Sequence, residues 1–258
     1  MGIKAVEISG GLHEKGQLKK LQKLSKVCDL RIHNYFPPPQ KDFVLNLASL
    51  DPQLRKKSIR QIKKAIRWSN KLKSPFVSFH AGFRFDPSSN ELGRTMKKRK
   101  LNRQKDSEEV FIEALNELSS FANEHCVQLM IENNVLTQKN METFSDNPFL
   151  MAEDSSCIHI IKNAPRNIKL LIDVSHLLIT SKTLKLNPVK GLQNCYPWTG
   201  GYHLSNTNGI VDDNKKITTE SWFWPYLKKN LSFYSIETAD SRRDKILAQV
   251  KIAEKFLL

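Results

Sequence analysis

The chain has 258 residues, 40% of them hydrophobic and 26% charged, which is near the globular average and excludes a disordered or fibrous protein. No stretch approaches the roughly 18 apolar residues that a membrane span needs, and the opening "MGIKAVEISGG" lacks the charged-then-apolar layout of a secretion signal. Lys and Arg number 41 against 26 Asp and Glu, a formal +15, and such a field favours anionic partners: nucleic acid, phosphorylated metabolites or acidic surfaces.

In chain order, "IKAVEIS" and "DLRIHNY" read as the first two strands. Asp51-Pro52 then offers an N-cap with proline at the first helical position, opening "LRKKSIRQIKKAIRWSNKLK". There Ile59, Ile62 and Ile66 make one apolar face, and the bases on the others read as a solvated helix face. "FVSFHAG" is the third strand. The connection after it holds "RTMKKRKLNRQK", seven bases in twelve residues, and is longer than such loops usually are. It reads as a lid, a phosphate clamp or a disordered solvated loop. Asp106 with Glu109 suggests a capping box before the helix "VFIEALNELSSFA". The strands "QLMIENN", "KLLIDVSH", "GYHLSNT" and "FYSIETA" follow, with Trp222 and Trp224 of "SWFWPYL" read as barrel-packing or rim residues. Ser241 is placed at the start of the last helix, "RRDKILAQVKIAEKFLL". Cys28, Cys126, Cys157 and Cys195 are scattered with no C-x-x-C spacing, as in a reduced cytoplasmic protein.

The strands share a positional regularity. Side chains alternate faces along a strand, so "LRIH" pairs Leu30 with Ile32 on one face and leaves His33 on the other. "VSFH" does the same with His80, "LMIE" with Glu132, "LLID" with Asp173 and "YSIE" with Glu237; "GGYH" is a weaker case ending in His203. Alone, each of these would read as a packed core histidine or a salt-bridged carboxylate. Six ionisable residues at equivalent strand ends, separated by 47, 52, 41, 30 and 34 residues, read instead as successive strand–helix units aiming one residue each at a common point. Only a closed or nearly closed barrel brings six strand ends together, so the fold class expected is α/β, a TIM-type (β/α) barrel forming one domain over residues 1–258. Carboxylates and imidazoles meeting there point to a divalent metal, Zn, Mn, Co or Mg. His13, His125 and His159 fall outside the pattern and read as surface or packing residues.

With "SFHAG", "IENN", "IDVSH", "HLSNTNG" and "IET" in this order, nearly the whole chain resembles the xylose-isomerase-like barrels, a group of sugar isomerases and epimerases together with metal-dependent apurinic endonucleases. "IHNYFPPP" followed by "FVLNLAS" is similar to stretches of the sugar isomerase/epimerase branch. The resemblance implies a central metal held by Glu132, Asp173, His203 and Glu237, and a second metal or substrate position at His33 and His80 with Glu132 as the bridge. Of the endonucleases' third metal site, His176 and Asp212 are present, but Asn214 stands in place of an imidazole, and Asn206 where the family has Asp. Seven strands are counted where the family has eight. "GIKAVEISGG" resembles the family's second strand, so the first strand–helix unit is expected to be missing, with either an open barrel or a start codon recorded too far downstream. Glu7 would face the mouth, with a structural or a functional role.

Two chemistries follow. In the first, a metal-dependent sugar or sugar-phosphate isomerase or epimerase works through an enediolate, with Glu132 and Glu237 as acid and base and His176, free of a third metal, reaching from a loop toward substrate hydroxyls. In the second, an apurinic-endonuclease-like phosphodiesterase acts on DNA held by the basic loop. A catalytically silent barrel is a third class. The missing third-site imidazole ranks the sugar reading first. Its partner is a small carbohydrate, free or phosphorylated, with nucleic acid second, no membrane, and a homodimer favoured by an open barrel edge.

Overall fold

The structure is a computed structural model that describes residues 3–92, 94, 96–240 and 242–258. Seven strands form one parallel sheet in sequence order: β1 (Ala5–Ile8), β2 (Asp29–His33), β3 (Phe76–His80), β4 (Gln128–Glu132), β5 (Ile168–Asp173), β6 (Thr199–Leu204) and β7 (Tyr234–Ile236). Parallel neighbours need a crossover, and helices supply it: α1 (Gln17–Leu24), α2 (Pro52–Leu72), α3 (Gln104–Glu124), α4 (Gln138–Phe144), α5 (Asp154–Asn163), α6 (Val174–Leu184), α7 (Pro188–Cys195) and α8 (Arg243–Leu257). The sheet curls into a nearly closed barrel. Among the described residues no backbone ladder joins β7 to β1, while the Glu7 carboxylate on β1 reaches His203 on β6. The barrel thus has seven strands, as counted from the sequence.

Strand alternation divides the chain's apolar mass in two. Leu30, Ile32, Val77, Phe79, Leu129 and Ile131 point outward and pack, fully buried, against Ile62 and Ile66 of α2 and Leu115 and Leu118 of α3. The inward face carries a small second core low in the barrel, where Met130, Leu171 and Phe233 meet Phe76. Arg31 closes this floor, its guanidinium 4.8 Å from the Phe233 ring centroid. Gly201 on β6 is required there, because a Cβ would come within 2.8 Å of Phe233. Above the floor the inward positions turn ionisable.

α2 begins as expected, with the Asp51 carboxylate accepting from the Gln53 amide at 2.8 Å and Pro52 in the first turn. α3 begins earlier than the sequence suggests. Its N-cap is Arg103, and Asp106 forms a bidentate pair with that arginine (2.7 and 2.8 Å) in place of a capping box. The position expected to open the last helix, Ser241, lies outside the described residues; α8 has Arg242 as its N-cap.

Candidate metal centre

The mouth is assembled from strand ends. Asp173 is the last residue of β5 and the N-cap of α6, and one of its oxygens accepts from the His176 amide at 2.7 Å. This double duty accounts for the local sequence Asp-Val-Ser-His. A buried strand needs an acceptor where its chain turns into a helix, and capping consumes only Oδ1. Oδ2 is left buried without a hydrogen-bond partner among the described residues. Asn133, next after β4, clamps the turn by accepting from the Asp173 amide at 2.7 Å and donating to its carbonyl at 3.2 Å.

Glu132 stands at the centre, fully buried. Its Oε1 lies 3.2 Å from His203 Nδ1 and 3.5 Å from His176 Nδ1. Its Oε2 lies 3.4 Å from His33 Nε2 and 3.6 Å from His80 Nε2, and makes no hydrogen bond. Burial opposes its charge, but the imidazoles of His80, His203 and His33 outweigh it and hold the carboxyl well below the usual range. Glu237, just beyond β7, leans in from the opening, its side chain 44% exposed and Oε2 3.2 Å from His203 Nδ1. Burial opposes its ionisation too, and the hydrogen bond and charge of His203 lower its pKa.

One donor atom each from Glu132, Asp173, His203 and Glu237 lie within 4.8 Å of one another, as do one each from His33, His80 and Glu132. The first set fits a divalent cation: three carboxylates and an imidazole, with an orphaned buried oxygen on Glu132 and another on Asp173. Burial drives the Asp173 pKa up to about 7, with Glu237 and Glu132 adding to it and His176 opposing. A cation at this point would relieve that crowding. In the second set burial pushes His80 down to about 4 against the pull of Glu132, so its ring is neutral near pH 7 and has a lone pair to offer.

The residues expected at a third site, His176 and Asp212, engage each other. His176 sits in the first turn of α6 rather than on a loop, because Asp173 starts the helix at once. Its Nδ1 is 2.9 Å from the Asn133 carbonyl oxygen and its Nε2 is 3.1 Å from Asp212 Oδ2. Burial would lower its pKa, but Asp173 and Asp212 raise it well above the ordinary histidine value. Asn214 is occupied locally, accepting from Ser205 Oγ at 3.3 Å, and Asn206 pairs with Lys215 through a backbone bridge.

Glu7 faces the mouth as expected, and Ser78, not singled out from the sequence, joins it. Glu7 accepts from Ser78 Oγ at 3.0 Å and sets Oε2 2.9 Å from His203 Nε2, as a charge pairing rather than an aligned hydrogen bond. Burial opposes its charge, and His203 and His33 overcome it, lowering the carboxyl to about 2. With Nε2 turned to Glu7, His203 presents Nδ1 to the cluster. Ser78 links the set further, 3.0 Å from His33 Nδ1. Its position two residues before His80 on the inward face was the available signal.

Described residues of the β3–α3 connection, also on this rim, gather around a carboxylate. Glu91 accepts from the Lys97 amide at 2.9 Å, the Ser88 amide at 2.9 Å and Arg99 at 2.6 Å. Met96 and Phe85 are buried in a satellite apolar cluster with Phe144 and Phe149.

Residues 1–231 match the xylose isomerase-like TIM barrel family. The chain belongs to that family. No curated protein matches the sequence. Solved structures share the fold at low identity. A D-tagatose 3-epimerase-like protein is 20% identical, with a TM-score of 0.73 over 98% of this chain and 88% of that one. The D-psicose 3-epimerase of Clostridium cellulolyticum is 14% identical, with a TM-score of 0.65 over 99% of both chains. A zinc-bound IOLI protein is 14% identical, with a TM-score of 0.63 over 93% of this chain and 79% of that one. No helix among the described residues is long and apolar enough to cross a membrane.

Proposed function

We propose that this family member is a divalent-metal-dependent sugar isomerase or epimerase acting on a small hydroxy-carbonyl sugar, free or phosphorylated. The observation that carries the reading is the convergence of Glu132, Asp173, His203 and Glu237 donor atoms within 4.8 Å, with unsatisfied oxygens on two of them. The names of the structural relatives, two of them 3-epimerases or epimerase-like and one a zinc-bound protein, agree with it.

A divalent cation held by those four residues would supply a Lewis acid for a carbonyl and its neighbouring hydroxyl. The chain's own groups do the proton work. Glu132 and Glu237 both have depressed pKa values and are therefore bases at neutral pH. Rising from different strands, each sets a carboxylate oxygen 3.2 Å from His203 Nδ1. One takes the proton from the carbon beside the carbonyl, giving the enediolate. The carboxylic acid so formed delivers that proton to the adjacent carbon in an isomerisation; in an epimerisation the other carboxylate first takes a proton from solvent and passes it to the opposite face. Positioned groups of this kind contribute about 10²–10⁴-fold. His176, held between the Asn133 carbonyl and Asp212, is oriented to donate to a substrate hydroxyl only if Asp212 yields its hydrogen bond.

The second reading, phosphodiester cleavage, draws on the pairing of His33 and His80 across Glu132 Oε2 and on the basic rim. Against it stand Asn214 bonded to Ser205 and a His176 engaged with Asp212. The test is interconversion of a panel of ketopentoses and ketohexoses by protein loaded with manganese, cobalt, zinc or magnesium, beside nicking of a duplex with one abasic site. Interconversion lost in Glu132→Gln and Glu237→Gln, with no nicking, is the expected result. Nicking by the wild type that is lost in Glu237→Gln, without sugar turnover, overturns it.

A further inference from the structure

The net positive charge is concentrated in one part of the chain. Residues 1–100 hold 23 Lys and Arg against 7 Asp and Glu, while residues 101–258 hold 18 against 19. The first set spans β1 to β3, and nearly all of its excess falls on two neighbouring outer helices, α1 with 3 bases and α2 with 8, and on the loop after β3. Neither helix contains an acidic residue.

On α2 the exposed bases Lys56, Arg60, Arg67 and Lys71 are spaced by 4, 7 and 4 residues, which keeps them in one stripe. At a rise of 1.5 Å per residue that stripe runs roughly 22 Å. None of the four has a carboxylate within 4.0 Å among the described residues, whereas half-buried Lys63 pairs with Glu117 at 2.6 Å. Arg67 is steadied over the Phe121 ring at 4.9 Å. The stripe continues to the mouth: Arg55 donates to the Ser49 carbonyl, Ser49 Oγ donates to Asp86 at 2.9 Å, and Arg99 donates to the Asp86 carbonyl at 3.1 Å. Exposed Lys97, Lys98 and Lys100 extend it, also without a carboxylate within 4.0 Å among the described residues.

A solvated helix face is the natural reading of one basic helix. Uncompensated charges on adjoining elements, joined in a line, have a different consequence, because like charges held in register repel unless a polyanion lies along them. A membrane surface would call for apolar side chains beside the cations, and none of the exposed large apolar residues is on α2.

We propose that the face formed by α2 and the β3–α3 loop binds the phosphate backbone of nucleic acid, without reading sequence, and that this binding is separate from the chemistry at the barrel's centre. Line-shaped charge along one face is the electrostatic footprint such binding requires.

The test uses the full chain and a labelled oligonucleotide, single-stranded and duplex, followed by fluorescence anisotropy. Contact with four phosphates gives a log–log salt slope near −3.6 on duplex, so raising salt from roughly 50 to 200 mM should weaken binding about 10²-fold. Two variants of equal net charge separate place from total charge: Lys56→Glu/Arg60→Glu/Arg67→Glu/Lys71→Glu on α2, and Arg243→Glu/Lys245→Glu/Lys251→Glu/Lys255→Glu on exposed positions of α8. The α2 variant should lose binding by about 10²-fold or more, with an unchanged circular dichroism spectrum, and the α8 variant should stay within a few-fold of wild type. Absence of binding by the wild type at low salt overturns the proposal. So does an equal loss in both variants, or binding to anionic phosphatidylserine vesicles in preference to either oligonucleotide.

Discussion

Glu7→Gln is the most informative single change, because it removes a charge from behind the cluster while keeping the side chain's shape. The carboxylate is 10% exposed, lies 2.9 Å from His203 Nε2 and accepts from Ser78 at 3.0 Å. Its pKa falls from 4.5 to about 2 on folding. At 1.36 kcal/mol per unit, that is about 3 kcal/mol favouring the ionised form in the folded state. For a chain of this size 1 kcal/mol moves Tm by roughly 2–4 °C, so the metal-free variant should melt up to roughly 6–12 °C lower at pH 7. The sign in pH follows from the lowered pKa. The contribution is complete above the unfolded value of 4.5 and is lost as pH falls toward 2, so the two melting curves should converge over that window. Calorimetry of metal-stripped protein between pH 7 and pH 3 measures this. Metal affinity should also drop about 10–100-fold, as when outer partners of a ligand histidine are removed. Equal melting temperatures at pH 7, or a gap that persists unchanged at low pH, would refute the role assigned to Glu7.

Asp173→Asn retains an N-cap for α6 but removes a carboxylate whose pKa burial lifts to about 7. A raised carboxyl pKa penalises the folded state as pH climbs from 3.8 to about 7. Metal-free Asp173→Asn should therefore melt above metal-free wild type at pH 8, with the advantage gone below pH 4, while metal binding, followed by titration calorimetry, is lost. Asn46→Ala empties a fully buried hub that donates to the Phe83 and Phe85 carbonyls and accepts from the Phe83 and Ala48 amides. With each stranded buried group costing about 1–3 kcal/mol, thermal unfolding should show a loss of at least about 3 kcal/mol. Glu91→Ala removes the acceptor that gathers Ser88, Lys97 and Arg99, so limited proteolysis should cut within residues 88–100 well before wild type, with little change in global melting.

The barrel was legible because five of the strands carry the period-2 pattern in full, as with Leu30 and Ile32 against His33, Leu129 and Ile131 against Glu132, and Leu170 and Ile172 against Asp173. Burial of one face and convergence of the other follow from that alternation alone. Asp51-Pro52 was legible for the same local reason. What escaped depends on distant partners. Asp106 looked like a cap until Arg103 claimed it, and the turn that starts α6 at Val174 and puts His176 in its first turn depends on Asn133, 40 residues from the Asp173 it clamps. The role of Glu7 rests on His203 and Ser78, brought to it only when the sheet curls. The basic loop read as a possible solvated tract because its anchors are scattered: Glu91 lies just before it, and the Phe144 and Phe149 packed in the same cluster as Met96 lie about fifty residues on.

Solvent proton exchange tests the central claim most directly. Metal-loaded protein is incubated with each ketose of the panel in heavy water, and deuterium at the carbons beside the carbonyl is followed by NMR. The account predicts deuterium at one such carbon of at least one sugar, abolished by stripping the metal and by Glu132→Gln or Glu237→Gln. Protein shown to carry its metal, yet exchanging no carbon-bound proton in any sugar tested, free or phosphorylated, would contradict it.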